Sequence, residues 1–150
     1  MPLWKDEEKI NTKRLLPKPG SLNTIASFFN PLNTPLQIVI IGAGNLAQHM
    51  VASFRSVKEV EVLQIFNHRK TKAATTFAKQ YQKELVTNYE KISKKADVYV
   101  ICVKDDAIAG VVKELIPLHV KGLVVHTSGS THMDILKKVS LHTGVYYPLQ

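Results

Sequence analysis

Gly42-Ala43-Gly44-Asn45-Leu46-Ala47 reads G-x-G-x-x-A, and those residue types at that spacing suit one task, the close seating of a pyrophosphate on backbone. Gly42 would take the tight turn out of a strand. Gly44, lacking a Cβ, would let the chain approach the phosphates, and Ala47 would keep the following helix close to the strand. The unpaired N–H groups at the helix start and the helix dipole would attract the same anion. A tight strand-to-helix turn without a ligand is the plain alternative.

About 20 positions past such a turn, a site that prefers NAD carries an acid for the ribose hydroxyls. Here that place holds Asn67, followed by His68, Arg69 and Lys70. Arg69 could grip a 2′-phosphate, with Lys70, Thr71 and Asn67 assisting. NADP is therefore expected over NAD. The competing account is a solvated basic turn.

Asp105-Asp106 follows a later apolar run. Adjacent carboxylates point apart, so capping a helix that starts near Ala107 is expected of them rather than acid–base work. The backbone from Val103 to Asp105 could still border a cofactor. His126-Thr127-Ser128-Gly129-Ser130 leaves a strand at its carboxyl end, where open α/β sheets bind ligands. Its hydroxyls and glycine would suit a substrate carboxylate or a nicotinamide amide. Thr131-His132-Met133-Asp134 equally matches a helix-capping box. No G-x-S-x-G elbow is present. The six histidines show no metal-ligand spacing; His49 and His119 read as surface or partly buried residues. Cys102, alone among Val and Ile, reads as a small buried hydrophobe.

The elements that must position these residues alternate from Leu36 onward. Strands are expected over Gln37–Ile41, Val60–Phe66, Leu85–Val86, Asp97–Val103, Leu123–His126 and Val145–Tyr147. Helices are expected over Asn45–Arg55, Thr71–Tyr81, Tyr89–Lys95, Ala107–Leu115 and Met133–Val139. Apolar Leu46, Met50 and Phe54 would mark one helix face, and Ala74, Phe77 and Ala78 another. The fold class is α/β, a doubly wound, mostly parallel Rossmann sheet with helices on both faces.

Residues 1–36 hold five prolines, at 2, 17, 19, 31 and 35, and read as an extension or linker with one short helix between Asn23 and Phe29. There Ile25 with Phe28-Phe29 resembles the plug of peptides that dock on DNA sliding clamps. Leu22 stands where that motif opens with glutamine, so a short amphipathic turn is the simpler account. Residues 37–150 form the dinucleotide-binding unit. The chain of 150 residues has a formal net charge of +8, which favours anionic ligands without choosing among them. Without stacking aromatics beside the basic residues, nucleic acid is a poor fit. No apolar run reaches the roughly 18 residues of a membrane helix, and acids at 6–8 argue against a transit peptide. A cytoplasmic location is expected.

Ile38–Met50 (IVIIGAGNLAQHM), Asn67-His68-Arg69, Val98–Ala107 (VYVICVKDDA), Val125–Ser130 (VHTSGS) and Gly144–Gln150 (GVYYPLQ) together resemble the N-terminal half of Rossmann-like proteins carrying a DUF2520 domain. Those proteins are similar to pyrroline-5-carboxylate reductases and to the 6-phosphogluconate and β-hydroxyacid dehydrogenases. The resemblance implies that Gly42, Gly44, Asn45 and Leu46 hold the pyrophosphate and that Asn67 and Arg69 face the adenosine ribose. It places His126, Ser128 and Gly129 on the active-site cleft. It also implies a helical domain after Gln150 that closes the cleft and builds a homodimer. The expectation is an NADP(H)-binding domain of an oxidoreductase acting on a small carbonyl or imine substrate. A non-catalytic NADP(H)-sensing module is the alternative.

Overall fold

In the computed structural model, residues 34–148 are described. The expected helix over Asn23–Phe29 and the Ile25/Phe28/Phe29 plug lie outside them.

Six strands make one sheet: β1 (Leu36–Ile41), β2 (Val60–Phe66), β3 (Glu84–Val86), β4 (Val98–Ile101), β5 (Leu123–His126) and β6 (Thr143–Val145). All pairings are parallel, in the order β3-β2-β1-β4-β5-β6. The chain winds outward from β1 to β3, then returns to place β4 on the other side of β1. That reversal opens a crevice at the carboxyl ends of β1 and β4, the place where such sheets take ligands.

Alternation along β1 serves both faces. Ile38 and Ile40 pack with Met50 and Val51 of α1 (Asn45–Arg55) and with Phe77 and Ala78 of α2 (Lys72–Gln80). Val39 and Ile41 point the other way, into a core with Ile108, Val111, Val112 and Leu115 of α3 (Asp105–Leu115). Strands buried on both faces need near-continuous apolar runs, which Ile38–Ile41 and Val98–Ile101 supply. Tyr99 of β4 is fully buried and donates its hydroxyl to the Ser93 carbonyl (2.7 Å), so burying it leaves no polar atom stranded.

Three expectations need correcting. The segments at Tyr89 and Met133 are short 3-10 helices, Tyr89–Lys91 and Met133–Lys138, not α-helices. Both begin on a side chain, Asn88 or His132, that accepts an N–H only two residues on, which favours tight winding. The last strand is Thr143–Val145, two residues earlier than expected, because its ladder aligns Gly144 with Val125 and Val145 with His126.

Candidate functional site

Gly42 leaves β1 at φ +122°, and its N–H donates to the Phe66 carbonyl of β2 (2.8 Å). A Cβ there would lie 2.2 Å from the carbonyl oxygen of Cys102, just past the end of β4. The turn is thus wedged between the ends of the two flanking strands. Gly44 is different: its φ is an ordinary −75°, and a Cβ would meet nothing within 4 Å. It caps α1 without a side chain, and no acid occupies the first turn of that helix. The first intrahelical bond is Gln48 N–H to the Gly44 carbonyl (3.1 Å). The N–H groups of Asn45, Leu46 and Ala47 precede it and have no intrahelical acceptor. Open space and unspent donors therefore coincide at one helix end, and an anion fits both. Ala47 is fully buried under the sheet.

At the end of β2 the backbone N–H of Asn67 joins Val86 of β3 (2.9 Å), while its side chain donates to the Arg69 carbonyl (2.6 Å). Thr71 N–H reaches the same carbonyl (2.9 Å), and Thr71 Oγ1 caps α2 by accepting Ala74 N–H (3.1 Å). Asn67 and Thr71 so hold the turn rather than reach outward. His68, Arg69 and Lys70 are exposed on it, with no acid among them. Val103, half-buried beside Gly42, continues the crevice from β4.

The ends of β4 and β5 build a second feature, an open cleft of about 870 Å³ walled by Asp105, Ser128, Ser130, Thr131, His132 and Tyr147 among others. Asp105 and Asp106 are the first two residues of α3, and Lys104 is its cap, so neither acid caps the helix as expected. Asp105 instead accepts the Ser130 hydroxyl across the cleft. Hydrogen bonding, above all from Ser130, holds its carboxyl below the usual range. Ser128 Oγ accepts the N–H groups of Ser130 (3.2 Å) and Thr131 (3.0 Å) and donates to Thr131 Oγ1 (3.0 Å). The expected capping box does not form: Thr131 is engaged by Ser128, and His132 is the cap.

His126 lies beneath this wall, not on it. Its side chain is fully buried, Nδ1 accepts Ser128 N–H (3.3 Å), and Nε2 has no partner. Ser128 and Gly129 do line the cleft, with the Tyr147 ring over Gly129 at 2.8 Å from where a Cβ would stand. Cys102 is buried against Met50 (3.4 Å), and burial pushes its thiol up to about 12. His49 and His119 are exposed. Among the described residues, no three His, Cys, Asp or Glu side chains gather as a metal site, and no helix is long and apolar enough to cross a membrane.

The sequence reasoning missed the Asp105–Ser130 contact. Its partners are 25 residues apart on different connections, and only the β4–β5 pairing brings them together.

A family model described as NADP oxidoreductase coenzyme F420-dependent matches residues 37–129. No curated protein matches the chain. Among solved structures, a Bacteroides fragilis protein described as an NADP oxidoreductase is 30% identical with a TM-score of 0.69, over 77% of this chain and 45% of its own. Biliverdin reductase from Synechocystis, solved with biliverdin and NADP+, is 14% identical with a TM-score of 0.59, over 75% and 38%. An NAD-binding protein from Listeria innocua is 22% identical with a TM-score of 0.57, over 75% and 35%. The last two likenesses are of fold alone. The chain spans less than half the length of each of these three proteins.

Proposed function

The chain belongs to the family described as NADP oxidoreductase coenzyme F420-dependent, and on that premise we propose that it is the NADP(H)-binding module of an enzyme that reduces or oxidises a small carbonyl or imine substrate. The observation that carries the reading is the pairing of two sites along one sheet edge. One is the open, uncapped start of α1 behind Gly44; the other is an exposed basic turn at Arg69 with no acid on it.

When bound, the cofactor supplies a hydride-transferring nicotinamide. The protein's part is placement. Gly42, Gly44, Asn45 and Leu46 would hold the pyrophosphate by backbone N–H groups and the dipole of α1. Arg69 and Lys70 would pair with the 2′-phosphate, on a turn stiffened by Asn67 and Thr71. Val103 would border the cofactor where β4 ends. Ser128 and Gly129 would face the reacting end, and buried His126 would fix the Ser128 backbone from below. The HTSG and YPLQ segments support a likeness to the DUF2520 proteins as the finer reading.

Calorimetric titration of the chain with NADPH and with NADH tests the reading. One charge-assisted contact contributes about 1.5–3 kcal/mol, so NADPH should bind at least tenfold more tightly. Arg69→Ala should bring the two cofactors to similar affinity. Equal affinities in the unaltered chain would remove the 2′-phosphate assignment, and no binding of either would remove the cofactor site.

A further inference from the structure

We infer that His126 is a proton-operated latch beneath the cleft wall. Neutral, it holds the turn from Ser128 to Thr131 in place through Nδ1; protonated, it lets that turn go. His126 is thus a positioning residue that acts on the cleft through Ser128, and the latch goes beyond cofactor binding.

The partners of the ring fix its protonation state. His126 ends β5 with no exposed surface, and pleating turns its side chain to the same face as Val124, which packs with Ile108, Val111 and Leu136. Nδ1 accepts the Ser128 N–H (3.3 Å), so it carries a lone pair, and the proton of the neutral ring is on Nε2. Among the described residues Nε2 has no partner. An imidazolium in the same place would set a second N–H against the Ser128 N–H, donor against donor. It would then bury two donors with no acceptor for either, and an unpaired charge besides. Protonation must therefore break the contact with Ser128.

One broken contact spreads, because the turn hangs on Ser128. Its Oγ accepts the N–H groups of Ser130 (3.2 Å) and Thr131 (3.0 Å) and donates to Thr131 Oγ1 (3.0 Å). Ser130 in turn donates to Asp105. All four of these residues wall the cleft.

No neighbouring element brings the buried ring a counter-ion: among the described residues no Asp or Glu is ion-paired with His126. β4 offers Tyr99, whose hydroxyl is committed to the Ser93 carbonyl, and β6 offers no titratable group. Cys102, past the end of β4, packs on the opposite face with Met50. α3 carries Asp105 and Asp106 in its first turn and Lys113 and Glu114 at its far end. The 3-10 helix carries Asp134, which pairs with Lys137, and Lys138. Tyr146 and Tyr147, after β6, are exposed. Asp105, held below the usual carboxylate range by Ser130, stays ionised while an imidazole titrates. His132 is the neighbouring imidazole, exposed and with Asp134 beside its Nδ1 (3.4 Å), so its charged form is paired in place.

The test follows the ¹⁵N-labelled full chain by NMR from about pH 8 to pH 5, the range in which imidazoles change charge. It reads the ring nitrogens of each histidine and the amides of Ser128, Gly129 and Thr131. At the upper end the His126 ring should show a bare Nδ1 and a protonated Nε2. As pH falls, the three amides should shift along one curve with the His126 ring, while the amides of β1 hold still. His126→Asn sets a side-chain oxygen near the place of Nδ1 and takes up no proton in this range. It should keep the turn at both ends of the range and cut the amide shifts at least fivefold. His126→Leu offers no acceptor, so its amides at the upper end should already stand where those of the unaltered chain arrive at the lower end. His132→Asn should leave the curve unchanged. The inference is overturned if Nδ1 carries the proton at the upper end, if the amides follow His132, if they stay still as His126 charges, or if neither ring nor amides titrate. Undiminished shifts in His126→Asn overturn it too. The ring nitrogens of the unaltered chain decide the matter even where a variant fails to fold. No cofactor enters the test, so its outcome is independent of the reading above.

Discussion

A Cβ on Gly42 would sit 2.2 Å from the Cys102 carbonyl oxygen at a φ of +122°, whereas one on Gly44 would meet nothing within 4 Å at a φ of −75°. The first glycine is demanded by the protein's own backbone. The second has no such internal reason and leaves space beside an uncapped helix end. Gly42→Ala should therefore lower unfolding stability by about 2–4 kcal/mol, combining a left-handed penalty with a clash against backbone. Gly44→Ala should stay within about 1 kcal/mol of the parent while weakening NADPH by tenfold or more. Thermal unfolding and calorimetry on the two variants check both halves. Cys102 supplies a second test at this scale. Burial raises its thiol from an ordinary 9.0 to about 12, so between those values the unfolded chain has lost a proton that the folded chain keeps. Stability should fall as pH rises through that window, by at most roughly 1.4 kcal/mol per pH unit from this group. Tyr89 and Tyr99, raised by burial as well, add to the same slope above pH 10. Cys102→Ala should flatten the decline measured by denaturant unfolding from pH 9 to 11.

Helix α2 begins on a single side-chain bond, Thr71 Oγ1 accepting Ala74 N–H, and Thr71 also closes the Arg69 turn through its backbone. Thr71→Ala removes the first and keeps the second. It should cost about 1 kcal/mol in unfolding stability and change the NADPH-to-NADH ratio little, whereas Asn67→Ala, which loses the 2.6 Å bond to the Arg69 carbonyl, should reduce that ratio. This part of the fold was legible beforehand. Ile38–Ile41 of β1 is an unbroken β-branched run, and Thr71 followed by Ala74, Phe77 and Ala78 announces a capped amphipathic helix. The 3-10 segments were not, since an i, i+3 apolar spacing serves both windings and the choice lies with Asn88 and His132 caps. The start of α3 misled for a related reason. Asp105 looks like a cap, but its carboxylate is drawn to Ser130 on a neighbouring connection, a partnership set by strand order and not by local spacing. β5 is paired along both edges, by β4 and by β6, with Tyr146 N–H on the His126 carbonyl (2.9 Å).

Across the whole molecule, the charge of +8 is a field, while Arg69 and Lys70 are a local clamp, and salt can tell them apart. A diffuse field draws both cofactors through the pyrophosphate and NADPH further through its extra phosphate charge, whichever residue stands at position 69. A clamp on the 2′-phosphate acts on NADPH alone. The turn is exposed, so its contact should be screened as the Debye length shrinks from about 10 Å at 0.1 M to about 3 Å at 1 M salt. The N–H groups at the start of α1 act on the pyrophosphate that both cofactors share, so screening there lowers both affinities. Raising KCl from 0.05 to 0.5 M, about a tenfold change across the Debye range, should therefore reduce NADPH affinity more than NADH affinity and narrow their ratio. In Arg69→Ala the gap between the two salt slopes should lose most of its size. A gap left unchanged in Arg69→Ala would assign the preference to overall charge, and the basic turn would then be a solvated loop with no part in cofactor choice.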